Sequence, residues 1–260
     1  MDKVTVEEMY KIEPLYEGWN DSPIWSCLEG CMGDAWVDDI KNPTAAQIIV
    51  ADFCYFAGDS RSLGAKELVS NIPARHTKAL FMVPQNEDWS RLIEEIYPNN
   101  HERVIRYQIK NPPTEFDTDK LVGYIEQMPE GYYIRQIDEE LYNIASKEEF
   151  SSYFCFQFQT YADFKERGLG FAVMYGDEWV AGASSYTMYK EGIEIELDTK
   201  EGHRRKGLAL AVAARLILEC VERGLSPNWD AANMQSARIA ERLGYTFDQE
   251  YPTYVITNFR

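Results

Sequence analysis

The chain has 260 residues, with 43 acidic residues against 26 Lys plus Arg, for a formal charge of −17. Hydrophobic residues make up 45% and charged residues 27%, enough apolar surface to fold most of the chain and to exclude general disorder. So acidic a surface repels phosphate backbones and draws cations, which argues against nucleic acid as a partner. At roughly 150 residues per domain, the length suits one large domain or two modest ones. No apolar stretch approaches the ~18 residues of a membrane-spanning helix, so no membrane partner is expected. The opening residues, MDKVTVEEMYKIEPLYEGW, are acidic and lack an apolar core segment. That is not a signal peptide, and the expected location is cytoplasmic. Cys27, Cys31, Cys54, Cys155 and Cys220 are odd in number and mostly in apolar surroundings, which reads as free buried thiols. Cys27 and Cys31 form a lone C-x3-C, and His76, His101 and His203 share no ligand spacing with them, so no metal is expected.

In chain order, QIIVADFCYFAGD, residues 47–59, reads as a strand stopped by Gly58-Asp59, after a turn at Asn42-Pro43. EDWSRLIEEIY, residues 87–97, carries Trp89, Leu92, Ile93 and Ile96 at helical spacing, and Pro98 ends it. Trp19, Trp25 and Trp36 read as packing residues rather than a ligand platform. The polar, proline-bearing stretch from Asn111 to Gly131 is the linker candidate. It places a boundary near residue 128, between an N-terminal mixed α/β domain (1–128) and a second domain (129–260). In the second domain, residues 168–189 read as two strands joined at Gly176-Asp177. Residues 192–199, GIEIELDT, alternate strictly: Ile193, Ile195 and Leu197 one way, Glu194, Glu196 and Asp198 the other. A helix follows from about Gly207 to Arg223, with Leu208, Val212, Leu216 and Cys220 on its apolar face and Gly224 as cap. SPNWDA suits a short strand, Met234–Leu243 a helix from Asn233 to Gly244, and YPTYVITNF a closing strand.

The informative unit is the strand, the loop KEGHRRKG and the helix it opens. Residues Arg204 to Ala209 lead into a helix start, where unpaired N–H groups and the positive dipole end face outward. Gly207 and Ala209 are small, so a diphosphate could approach the backbone. His203, Arg204, Arg205 and Lys206 concentrate positive charge where dipole logic disfavours it, and a bound anion resolves that conflict. A solvated charge run is the other reading. The loop is neither a Walker A loop nor a dinucleotide fingerprint, since both spacings are absent.

Arg204-Arg205-Lys206-Gly207-Leu208-Ala209 resembles the R-x-x-G-x-G/A signature of the GCN5-related N-acetyltransferases (GNAT). The order of elements is similar as well, and so is N-x-x-S-x-x-x-A-x-x-L-G-Y from Asn233 to Tyr245. That resemblance covers roughly residues 130–260. The whole chain, with GDAWVDDIKNPTAAQIIVADFCYFAGD, is similar to the two-domain subgroup of zwittermicin A resistance-type acetyltransferases. The resemblance implies an α+β, mixed α/β protein: a C-terminal GNAT-type fold with a mostly antiparallel central sheet flanked by helices, behind the N-terminal domain. It also implies acetyl-CoA as donor and an amine as acceptor. The backbone of Arg204, Arg205, Lys206, Gly207, Leu208 and Ala209 would hold the pyrophosphate. Leu197, Asp198 and Thr199 would pair with the pantetheine amides like a neighbouring strand. A backbone N–H near Leu197 or Asp198 would face the thioester oxygen. Asn233 would contact the pantetheine or the acceptor, and Ser236 the cofactor or the departing thiol. The N-terminal domain would shape the acceptor side. It could be a diverged acetyltransferase-like half, though no second R-x-x-G-x-G/A motif supports that.

An alkylammonium must lose a proton before it attacks a thioester, so a base is needed. Adjacent carboxylates on one strand face raise one another's pKa, which suits such a base. Glu196 comes first, about two residues or ~6–7 Å from the expected thioester, and Glu194 second. The alternative is that these acids only attract the ammonium or face solvent. Many family members carry a Tyr four residues before the helix-ending Gly, and here that position is Ala240. The thiolate's proton would then come from Ser236, from Tyr251 or Tyr254, or from water. Cys220 reads as inert, and Trp229 and Phe247 as core. The expected activity is N-acetyl transfer to a small-molecule amine. The competing expectation is a CoA or acyl-CoA sensor without catalysis, which Ala240 favours. The acceptor and the oligomeric state, homodimer included, stay open.

Overall fold

The computed structural model of the protein describes residues 1–73 and 79–257, so His76 and the tail of the last predicted strand lie outside the described residues. The chain forms two compact units, one of Met1–Arg106 with Glu250–Arg260 and the other of Tyr107–Gln249.

In the first unit, β1 (Asp2–Val4) precedes two short 3-10 turns and α1 (Ser22–Leu28). Then come β2 (Asp34–Val37), β3 (Ala45–Val50), β4 (Phe53–Gly58), α2 (Ala65–Ser70), β5 (Ala79–Pro84) and α3 (Glu87–Ile96). Strands β1 to β4 pair antiparallel in sequence, and β4 pairs parallel with β5. The stretch read as one strand at 47–59 is instead part of a hairpin. Its turn runs through Ala51 in the left-handed region (φ 55) and Asp52, with no Gly or Pro to announce it. Helix α3 forms where the periodicity places it. Asn86 accepts from the amides of Asp88 and Trp89, and Trp89 stacks on Phe56 in the core at 5.4 Å.

β6 (His101–Ile109) leads into the second unit, followed by α4 (Thr118–Glu126) and β7 (Tyr132–Gln136). The stretch read as a linker therefore contains a helix. Asp117 caps α4 by accepting from Lys120 N at 3.0 Å, and Leu121 is fully buried in the second unit's core. Those contacts hold residues 107–128 in the second unit, so the division falls at Arg106/Tyr107 and not near residue 128.

Helices α5 (Glu139–Ala145), α6 (Glu149–Ser152) and α7 (Tyr161–Arg167) come next. They are followed by β8 (Gly170–Tyr175), β9 (Glu178–Tyr189), β10 (Gly192–Thr199), α8 (Leu208–Arg223), β11 (Ser226–Asn228), β12 (Asp230–Ala231), α9 (Met234–Leu243) and β13 (Phe247–Thr257). The sheet runs β11-β10-β9-β8-β7, antiparallel except for the parallel pair β10–β11. Leu208, Val212, Leu216 and Cys220 of α8 are buried as expected, in one core with Ile193, Ile195 and Leu197 of β10. Phe154 stacks on Trp179 and lies over Gly182, where a Cβ would come within 2.8 Å of its ring. The last residues of β13, Tyr254–Thr257, pair with β5 in the first unit.

Strand β10 departs from strict alternation. Its register with β9 shifts between Glu194 and Ile195. Glu194 is buried at 7% exposure, Glu196 is half-buried, and Asp198 is exposed. The pairing with β11 covers only Gly192–Glu194. Beyond Glu194 the outer edge of β10 has no strand partner among the described residues. The parting is fixed by polar contacts: Asn228 donates to Ile193 O at 3.2 Å and to the Tyr189 hydroxyl at 2.9 Å, and Tyr245 donates to Pro227 O at 2.6 Å. Burial pushes the Tyr245 hydroxyl well above its ordinary pKa, so it stays a donor.

Candidate active site

The open edge of β10 ends in the loop that starts α8. Arg205 (φ 63) and Gly207 (φ 80) both lie in the left-handed region and bracket Lys206. Such reversals curl successive N–H groups into an anion-binding arc. A left-handed Arg costs roughly 1–2 kcal/mol, a strain that marks a site rather than a scaffold. Gly207 is the N-cap of α8 and supplies no side-chain cap, so the first amides of the helix face outward unpaired by one. A Cβ at Gly207 would meet nothing within 4 Å, so it would enter open space beside the loop.

That space belongs to a cleft of about 490 Å³. Leu197, Asp198, Thr199, Arg204, Arg205, Gly207, Leu208, Ala209, Asn233 and Ser236 line it, so residues 39 positions apart in sequence meet at one surface. Lys206, Glu194 and Glu196 are not among its lining residues, although Glu196 directly precedes Leu197. Arg204 braces the loop by donating from Nε to Thr199 O at 2.9 Å, with its guanidinium 3.7 Å from Asp198. Thr199 Oγ1 is buried in this wall without a hydrogen-bond partner. Asn233 Oδ1 caps α9 by accepting from Ser236 N at 2.9 Å. Ser236 Oγ accepts from Trp229 Nε1 at 3.1 Å, which leaves the serine's own proton to donate.

Two groups of residues were missed by the sequence reading. Gln235, Arg238, Ile239 and Arg242 of α9 also line the cleft. Their i, i+3, i+4 and i+7 spacing, on the face away from buried Ala237, Ala240 and Leu243, was the available signal. The second is Tyr132. Lys206 Nζ donates to its hydroxyl at 2.7 Å, and the same hydroxyl lies 2.9 Å from His203 Nδ1. The two contacts tie both ends of the loop to β7. No sequence spacing announces a contact across 71 and 74 residues. Tyr132→Phe removes both bonds. At about 1 kcal/mol for the two together, the loop of Tyr132→Phe should bind a diphosphate probe such as ADP about fivefold more weakly, as measured by isothermal titration.

Tyr254 is not available as a proton donor, because its buried hydroxyl donates to Glu94 at 2.7 Å within the first unit. Cys220 is buried, which pushes its thiol up to about 12 and leaves it inert. Among the described residues no group of three or more His, Cys, Asp or Glu could hold a metal ion, and no helix is long and apolar enough to cross a membrane.

A sheet edge that parts beside an anion-binding loop at a helix start forms a cleft suited to a diphosphate-bearing ligand. The family model for GNAT acetyltransferases matches residues 13–254, and the chain belongs to that family. It is an acyltransferase, and enzymes of the family use acetyl-CoA as co-substrate. A GCN5-related N-acetyltransferase-like protein from Streptococcus suis is 38% identical, with TM-score 0.88 over 95% of this chain and 98% of that one. An uncharacterized N-acetyltransferase of Bacillus subtilis, YdfB, is 26% identical over 239 residues, covering 89% of this chain and 88% of the relative. A tandem GNAT protein from the clavulanic acid biosynthesis pathway shares the fold, at TM-score 0.58 and 11% identity over 98% of this chain and 97% of that one.

Proposed function

We propose that the protein transfers an acetyl group from acetyl-CoA to a primary amine of a small molecule. The observation that carries this reading is the junction of the open β10 edge with the left-handed loop in one cleft. The residues fit the donor. The amides of Arg204 to Ala209 bind the pyrophosphate, Leu197 to Thr199 offer backbone groups to the pantetheine, and the orphaned Thr199 hydroxyl has a partner there. When bound, acetyl-CoA supplies an activated acyl group. A backbone N–H near Leu197 or Asp198 stabilises negative charge on the acyl oxygen.

Glu196, half-buried beside the cleft, takes the proton from the acceptor ammonium, with Glu194 as the deeper carboxylate behind it. Ser236 donates to the departing sulfur, supported by its indole-oriented hydroxyl and by the buried alanine at position 240. Asn233 acts by fixing the first turn of α9 that presents Ser236. Ser236→Ala should lower kcat about tenfold or less, since a CoA thiol is acidic enough to leave without a strong acid. Every donor-loop residue lies in the second unit, and we assign acceptor-side selection to the first. The finer subgroup, zwittermicin A resistance-type enzymes, is supported by the likeness of residues 33–59 and would make an amino-bearing antibiotic or metabolite the acceptor.

The test is release of free thiol from acetyl-CoA with a panel of amines. Turnover with any member supports the reading. Tight donor binding without thiol release for every amine would leave a CoA-binding sensor instead.

A further inference from the structure

Seven of the fifteen residues from 150 to 164 are aromatic, against 13% of the whole chain. Packing accounts for part of that excess: Phe154 and Phe158 are buried, and Phe154 stacks on Trp179. It does not account for Tyr153 and Phe156, which are 44% and 46% exposed. Their rings meet edge to face at 6.1 Å, so they form one apolar patch.

Contacts along the segment place that patch within the second unit. Phe150 holds the Lys200 ammonium 5.3 Å from its ring centre, one residue past the end of β10. Phe154 lies over Gly182, which pairs with Asp198. Phe156 meets Tyr186 at 6.1 Å. Tyr186 is the extra residue of the register shift, since Ile195 pairs with Ser185 and Glu194 with Thr187. Bulges of this kind re-aim a side chain. The segment therefore runs along β10 from Lys200 back to the level of Glu194. Paired residues share a face, so it covers the face that carries Asp198 and Glu196. Glu196 pairs with Ser184, which falls between Gly182 and Tyr186. The carboxylate thus stands between the Phe154 and Phe156 contacts, about 6–7 Å of strand from Tyr186.

A carboxylate with rings at that distance complements an ammonium carried near a flat apolar group. The rings offer stacking to the flat group and their negative faces to the cation. We propose that Tyr153, Phe156 and Tyr186 bind the reacting end of the acceptor, which is a primary arylalkylamine with a short carbon chain between nitrogen and ring. This rests on the acetyl-transfer reading with Glu196 as base and identifies the acceptor class within it. The first unit is left to read what lies farther from the amine.

Initial rates of thiol release from acetyl-CoA with 2-phenylethylamine, n-butylamine, putrescine and glucosamine test it on the wild type, Tyr153→Ser and Phe156→Ser. The wild type should show a kcat/KM for 2-phenylethylamine at least about tenfold above that for n-butylamine. Each variant should lose most of that ratio through KM while keeping its melting temperature and its affinity for acetyl-CoA. Equal values for the two amines, a higher value for putrescine or glucosamine, or a ratio unchanged in both variants would overturn the aromatic surface and leave acetyl transfer standing. So would concentration-dependent dimerisation in sedimentation that both variants abolish, since a second copy would then cover the rings. Thiol release with none of the four amines, in a protein that acetyl-CoA stabilises, would overturn the transfer reading and the surface with it.

Discussion

Replacing Gly207 with Glu abolishes stabilisation by acetyl-CoA. A wild-type protein at a hundred times its Kd gains about 2.7 kcal/mol, a visible shift in a melting curve. The variant places a carboxylate in the open space that the phosphates need, at φ 80. Strain and charge separate with a second variant. Gly207→Ala carries the same left-handed cost, roughly 1–2 kcal/mol, without the charge. The unliganded Glu variant should melt above the Ala variant, because a carboxylate at a helix start contributes about 0.3–1 kcal/mol. Adding acetyl-CoA should reverse that order, since only the Ala variant can still bind. If the Glu variant shifts like the wild type, the loop does not hold the donor.

Glu196→Gln is the second large effect. A general base contributes about 10²–10⁴-fold, so kcat should fall by that order with acetyl-CoA affinity kept. The pH profile carries the sign. The base works deprotonated, so the wild-type rate climbs with pH through the titration of Glu196 and then levels. Glutamine cannot titrate, so the variant loses that limb and runs flat at the low rate. A full kcat with an unchanged profile would remove Glu196 from this role, and Glu194→Gln would then be the variant to measure.

The loop between β10 and α8 and the helices beside it were legible in the sequence because their constraints are local. Gly207 and Gly224 mark the ends of α8, and Asn233 and Gly244 mark those of α9. The hairpin at Ala51 was not legible, since an alanine in the left-handed region leaves no compositional trace. Helix α4 was hidden by the prolines before it, though Asp117 followed three residues on by Lys120 was a readable cap. The register shift at Glu194 depends on β9, and the Tyr132 brace on β7, so neither has a local signature. The same holds for the arginines of α9, whose meaning appears only when the helix lies against the loop.

The pairing of Tyr254–Thr257 with Ala79–Met82 sets an order of events during synthesis. The N-terminal sheet cannot complete its hydrogen bonding until more than 170 later residues have left the ribosome, since Met82 pairs with Tyr254. Until then β5 presents a bare edge of Leu80, Phe81 and Met82, the kind of edge that recruits foreign strands. The intervening unit has no such wait, because all five strands of its sheet lie between residues 132 and 228. The nascent chain should therefore acquire its middle first, with the N-terminal part protected last and most dependent on chaperones.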